Sequence, residues 1–112
     1  MSNIGQIPTI GRIVRYTLTE HDAEAINRRR AGAQNLNAAG VTLASQNLGP
    51  QIHIGNSVHE GEVYPLVITR VWGDQPGSAV NGQVLLDGND TLWVSSVNVG
   101  EGPRHFAWPA RV

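Results

Sequence analysis

The chain has 112 residues, a formal net charge of -1 and no cysteine, which sets the scale of one small domain able to bury a modest core, spanning 1–112. Disulfide frameworks, thiolate chemistry and Cys-ligated zinc are excluded. Near-neutral charge argues against duplex nucleic acid, whose non-specific capture needs many neutralised phosphates. No apolar run approaches the ~18 residues of a membrane span, and the N-terminus reads as having neither a basic region nor an apolar leader, so a protein that stays where it is synthesised is expected.

The first regular segment is Ile10-Gly11-Arg12-Ile13-Val14-Arg15-Tyr16-Thr17-Leu18, where Val14, Tyr16 and Leu18 alternate with Ile13, Arg15 and Thr17 as in a strand with one apolar face. Thr19-Glu20-His21-Asp22 follows the [ST]-x-x-[DE] pattern of a helix start. A short helix over about 20–30 is expected, with acidic residues at its positive end and Arg28, Arg29 and Arg30 at its negative end. Its inward stripe, Ala23 and Ile26 with Ala25 or Arg30, is thin, so it should lie on a sheet or on a second subunit. Over 31–50 the composition shifts to Ala, Gly, Asn, Gln and Ser, which reads as a flexible or partly ordered insertion, either a lid or an arm.

The second half reads as sheet. Gln51-Ile52-His53-Ile54 alternates, and a long β-branched run over 62–72 tolerates Pro65 only at an edge or bulge. The segments 83–86 and 91–97 flank Asp87-Gly88-Asn89-Asp90, a hairpin in which Asp-Gly would supply positive φ. A final short strand, Arg104-His105-Phe106-Ala107-Trp108, ends at Pro109. The expected class is α+β: one short N-terminal helix packed on a curled antiparallel, barrel-like sheet of five or six strands.

All eight basic residues are arginines, seven of them grouped at Arg12/Arg15, Arg28/Arg29/Arg30 and Arg104/Arg111. A guanidinium offers a planar fork that fits phosphate bidentately and stacks on rings, so this usage suits a small phosphorylated ligand; GC-rich coding produces the same bias without functional demand. Arg28, Arg29, Arg104 and Arg111 could supply forks, Trp93, Phe106 and Trp108 stacking planes, and Asn81, Asn89, Asp87 and Asp90 contacts to base edges. Equally, Trp72, Trp93 and Trp108 could fill a small core, and Asp87 to Asp90 could be only a turn. Each stacked base contributes about 1–3 kcal/mol and each charge-assisted hydrogen bond about 1.5–3, against at least ~4 lost on association. No metal site is expected, because His53, His59 and Glu60 match no compact ligand spacing, and neither a cofactor nor catalysis is expected in the absence of a nucleophile elbow or P-loop.

The motifs Pro8-Thr9-Ile10-Gly11-Arg12-Ile13-Val14, Asp22-Ala23-Glu24-Ala25-Ile26-Asn27-Arg28-Arg29-Arg30, Val80-Asn81-Gly82-Gln83-Val84-Leu85-Leu86-Asp87-Gly88-Asn89-Asp90 and Trp108-Pro109 resemble small proteins of tailed bacteriophages and prophages. The likeness covers most of the chain outside 31–50. It implies a role in the host cell cytoplasm during infection or a minor part of the virion. In size and build the chain is similar to phage sponge proteins of the anti-Thoeris and anti-CBASS class, which sequester cyclic oligonucleotide or cyclic ADP-ribose signals without cleaving them, although none of that class's binding residues aligns here. The alternative is a head-decoration or tail-accessory module. A homo-oligomer, dimeric or dimer-based, is expected in the first case.

Overall fold

The computed structural model describes residues 5–38 and 56–110, with backbone only for 33–38. Five strands, β1 (Ile13–Thr17), β2 (Val63–Val71), β3 (Val80–Leu85), β4 (Thr91–Val99) and β5 (His105–Ala107), close into a barrel in the order β1-β2-β3-β4-β5, and one helix, α1 (Glu20–Ala38), lies between β1 and β2. A single helix on a barrel-like sheet is the expected class. The expected strand at 51–54 and most of the expected insertion at 31–50 lie outside the described residues.

Alternation builds the interior. Val14 and Tyr16 of β1, Leu66 and Ile68 of β2, Val80 and Val84 of β3, Val94 and Val97 of β4 and Phe106 of β5 are all buried, each burial being worth roughly 1.5–3 kcal/mol for a large aliphatic or aromatic side chain. Bulges between Ile68 and Arg70 and between Val80 and Gly82 coil the sheet enough to close it. At Gly82 a Cβ would stand 2.4 Å from Leu66 Cδ2 and 2.5 Å from the Val67 carbonyl, so β2 and β3 approach as closely as they do only because that position is glycine. Pro65 pairs with Arg15 of β1 but lies outside the β2–β3 ladder, which runs from Leu66 opposite Val84, so its missing N–H interrupts no bond there.

The sheet is not antiparallel throughout. β4 and β5 run parallel over Asn98–His105 and Val99–Phe106, while β5 also pairs antiparallel with β1. The chain loops back on itself within 100–104 and resumes the same direction; Gly102 (φ 84°) and Arg104 (φ 68°) are left-handed there, and Arg104 N–H donates to the Thr17 carbonyl at 3.0 Å. That crossing carries the chain from β4 to the free edge of β1 and leaves no strand unpaired.

The helix starts as its capping pattern dictates. Asp22 N–H donates to Thr19 Oγ1 (2.9 Å), Thr19 N–H donates to Asp22 Oδ2 (3.0 Å), and the buried Tyr16 hydroxyl donates to the same oxygen at 2.5 Å. Burial, and then hydrogen bonding to Asp22, hold the Tyr16 phenol well above its ordinary range. The helix does not stop near Arg30 but continues to Ala38. Once nucleated by the cap, each further residue adds one backbone bond at little cost, and Ala31, Ala33, Gln34 and Leu36 are all good helix formers. The arginine run is therefore mid-helix, with no basic residue in the last turn, so complementing the dipole is not its role. Ala23 and Ile26 of the thin inward stripe join the same buried core as the barrel residues, and Asn27 ties the helix to the segment before β2: its Nδ2 donates to the Val58 carbonyl (2.8 Å) and Val58 N–H donates to its Oδ1 (2.9 Å). Among the described residues no helix is long and apolar enough to cross a membrane.

Candidate functional site: the helix and hairpin face

Antiparallel order puts the end of β1, the start of α1 and the β3–β4 connection, 86–90, at one end of the barrel. Arg30, only 7% exposed, sets two edges of its fork on Asp90, Nε to Oδ2 at 3.0 Å and Nη2 to Oδ1 at 2.9 Å, and its third nitrogen donates to the Asn56 carbonyl. Arg29 reaches the same carboxylate at 3.4 Å and donates to the Thr91 carbonyl at 2.9 Å. The Arg30 hydrogen bond pulls Asp90 below the ordinary carboxylate range against a smaller opposing effect of burial. Reciprocally, Asp90 raises Arg30 further above neutrality.

This clamp joins helix and hairpin into one surface. Thr91 and Trp93 alternate to the outer side of β4, so Arg29, half exposed and bound to Thr91, lies two residues from an indole that is 58% exposed. Leu85 pairs with Thr91 and Gln83 with Trp93 in the neighbouring strand. Arg28 is exposed and has no ion pair among the described residues. Asn89 is exposed in the connection, whose turn differs from expectation: it has five residues, Gly88 is not in a positive-φ conformation, and Gly88 N–H donates to the Leu86 carbonyl at 2.9 Å. Asp90 is therefore a structural partner of the arginines and not a free edge contact.

Arg29 thus reaches the hairpin directly, Arg28 and Asn89 lie exposed on the same two segments and Trp93 faces outward on β4, while the rings of Phe106 and Trp108 lie elsewhere. Phe106 is fully buried and Trp108 is 4% exposed, the two rings meeting edge to face at 6.0 Å between centroids. Both fill the core rather than offer planes to a ligand, because inward alternation of β5 points Phe106 into the barrel and Arg12 covers Trp108 at 4.7 Å. Arg104 sits exposed in the β4–β5 turn, and no contact among the described residues ties its side chain to the hairpin. Arg111 lies outside the described residues. So does His53; among the described residues no three potential ligands gather as a metal site.

Two features lie outside the motifs of the sequence. One is the Arg30–Asp90 pair, sixty residues apart in sequence, which no local signal announces. The other is Arg70, stacked on the half-exposed Trp72 at 4.1 Å; here a signal existed, since the spacing of Arg70-Val71-Trp72 puts the first and third residues on one face of a strand.

A small closed barrel carrying a helix-borne guanidinium surface defines the class of molecule as far as geometry goes. Comparison with protein-family models, curated proteins and solved structures returns no match to this chain.

Proposed function

We propose that the chain is a non-catalytic binding protein that sequesters a small phosphorylated ligand of nucleotide type, in the manner of the phage sponge proteins it resembles. The observation that supports this reading is the delivery of Arg29 onto the Thr91 backbone beside the exposed Trp93, with Arg28 left uncommitted among the described residues. In this reading phosphate takes the forks of Arg28 and Arg29, and a base stacks on Trp93 with Asn89 at its edge. Capture without cleavage is favoured because Asp90, held ionised by Arg30, is a poor general acid. The role belongs to the host cytoplasm, and a dimer or dimer-based oligomer would close the open side of the site.

Calorimetry against cyclic di- and trinucleotides and cyclic ADP-ribose isomers tests the proposal, with the ligand recovered intact after heating. Binding by at least one of them is expected, lost in Arg28→Ala and partly restored in Arg28→Lys, since lysine returns the charge but not the fork. A second reading draws on a different observation. Ile13, Val63, Leu85 and Trp93 all lie exposed on the strands, an apolar outer surface suited to a virion module packed against other proteins. Absence of binding heat across the panel together with co-sedimentation with particles would establish that reading and overturn the first.

A further inference from the structure

At the opposite end of the barrel, the segment before β1 folds back on β2, with Gly11 N–H donating to the Ile68 carbonyl (2.8 Å) and Ile68 N–H to the Arg12 carbonyl (2.9 Å). Between this segment and the end of β2 lies an open cleft of about 550 Å³ lined by Pro8, Thr9, Ile10, Thr69, Arg70, Val71 and Gly73. Its walls mix apolar and polar groups, and Ile10 is 72% exposed. Arg70 is the cleft's one cation among these lining residues, and it makes no ion pair among the described residues; the nearby Asp74 carboxylate accepts from Gln75 instead.

Arg70 is also positioned. Its guanidinium lies over the Trp72 ring at 4.1 Å, and Trp72 is pinned in turn, its indole N–H donating to Asn81 Oδ1 at 3.0 Å. The same oxygen accepts Ser96 N–H at 2.9 Å, where Ser96 holds a left-handed φ of 56°. A non-glycine residue keeps that conformation only where its surroundings over-determine it, and Asn81 sits between the two bulges that shape this end of the barrel. Stacking occupies the face of a guanidinium and leaves its in-plane N–H donors free for an oxyanion.

From this geometry we infer a second binding site, independent of the helix and hairpin face: a cleft for a small planar anion, with its phosphate or carboxylate on the in-plane donors of Arg70 and its apolar body against Ile10 and Val71. Trp72 and Asn81 are positioning residues. The alternative sources of such a group, free inorganic phosphate or a wholly apolar ring, lack one half of the recognised chemistry.

The test is a ¹H–¹⁵N titration of the full chain with phenyl phosphate, and with phenol and inorganic phosphate separately. The indole N–H of Trp72, Arg70 Nε–H and the Gly73 amide should shift together and saturate with a Kd on the order of 1 mM, as expected for so small a ligand. The indole signal of the buried Trp108 should stay in place, and any shift of Trp93 reports the hairpin face separately. Phenol and inorganic phosphate should each bind about tenfold more weakly or worse, and Arg70→Lys should weaken phenyl phosphate by about tenfold while the remaining spectrum is unchanged. No shift at Trp72, Arg70 Nε–H and Gly73, an equal response to inorganic phosphate at these signals, or no saturation of them would overturn the inference. None of these outcomes depends on whether the hairpin face binds a nucleotide.

Discussion

At the helix end of the barrel Arg30 is nearly buried with both edges of its fork on Asp90, whereas at the opposite end Arg70 lies exposed with its flat face on Trp72. The difference teaches what decides the use of an arginine. A carboxylate consumes the in-plane donors and turns the residue into a tether between distant segments, while an indole holds the plane and leaves those donors for something else. Arg29 is intermediate: it shares Asp90 but remains half exposed beside Trp93.

The contrast breaks most visibly if the carboxylate is removed. Asp90→Ala leaves the Arg30 charge partly buried without its partner and detaches helix from hairpin, with an expected loss of about 2–3 kcal/mol, somewhat below the fully buried case because Asp90 keeps some solvent contact. Urea unfolding measures it, and a loss below ~0.5 kcal/mol would mean the clamp does not couple the two elements.

Acid gives the next effect. Asp90 titrates lower in the folded chain than unfolded, mainly through its Arg30 hydrogen bond, so its contribution is present above the unfolded carboxylate value of about 3.9 and disappears as pH falls through the folded one. Stability should decline from about pH 5 downward, and Asp90→Asn should flatten that decline relative to the parent. Parallel pH profiles for the two proteins would assign acid sensitivity elsewhere.

At the other end the effects are smaller. Trp72→Leu removes an exposed stack and one indole hydrogen bond, an expected cost of about 1 kcal/mol by thermal or chemical unfolding. Arg28→Ala should change stability by less than about 0.5 kcal/mol, since it lies exposed on the helix, while removing the nucleotide binding proposed for the hairpin face. A large loss of stability in Arg28→Ala would place that side chain in the folded framework and out of a site.

Much of this architecture is readable locally. The strand alternation around Val14 and Tyr16, the capping pattern of Thr19 and Asp22 and the pairing of strands about Asp87 to Asp90 are short-range consequences of side-chain direction and hydrogen bonding and form as expected, although the connection itself turns without a positive φ at Gly88. The candidate site was half legible. Arg28, Arg29, Asn89 and Trp93 belong to one end of the barrel, but Phe106 and Trp108, which as residue types look equally fit for stacking, lie in the core. A three-residue strand carries too little alternation to say which way its ring points, so the neighbours of β5 had to decide it.

By itself, then, the sequence determined the element types, the helix start and the supply of guanidinium forks, because these follow from residues a few positions apart. Only the tertiary structure decided the parallel β4–β5 seam, the length of the helix past Arg30, and which arginines remain available. The physical reason is range: closure of the barrel and the Arg30–Asp90 clamp join groups far apart in the chain, whose meeting depends on twist, bulges and burial summed over the whole sheet.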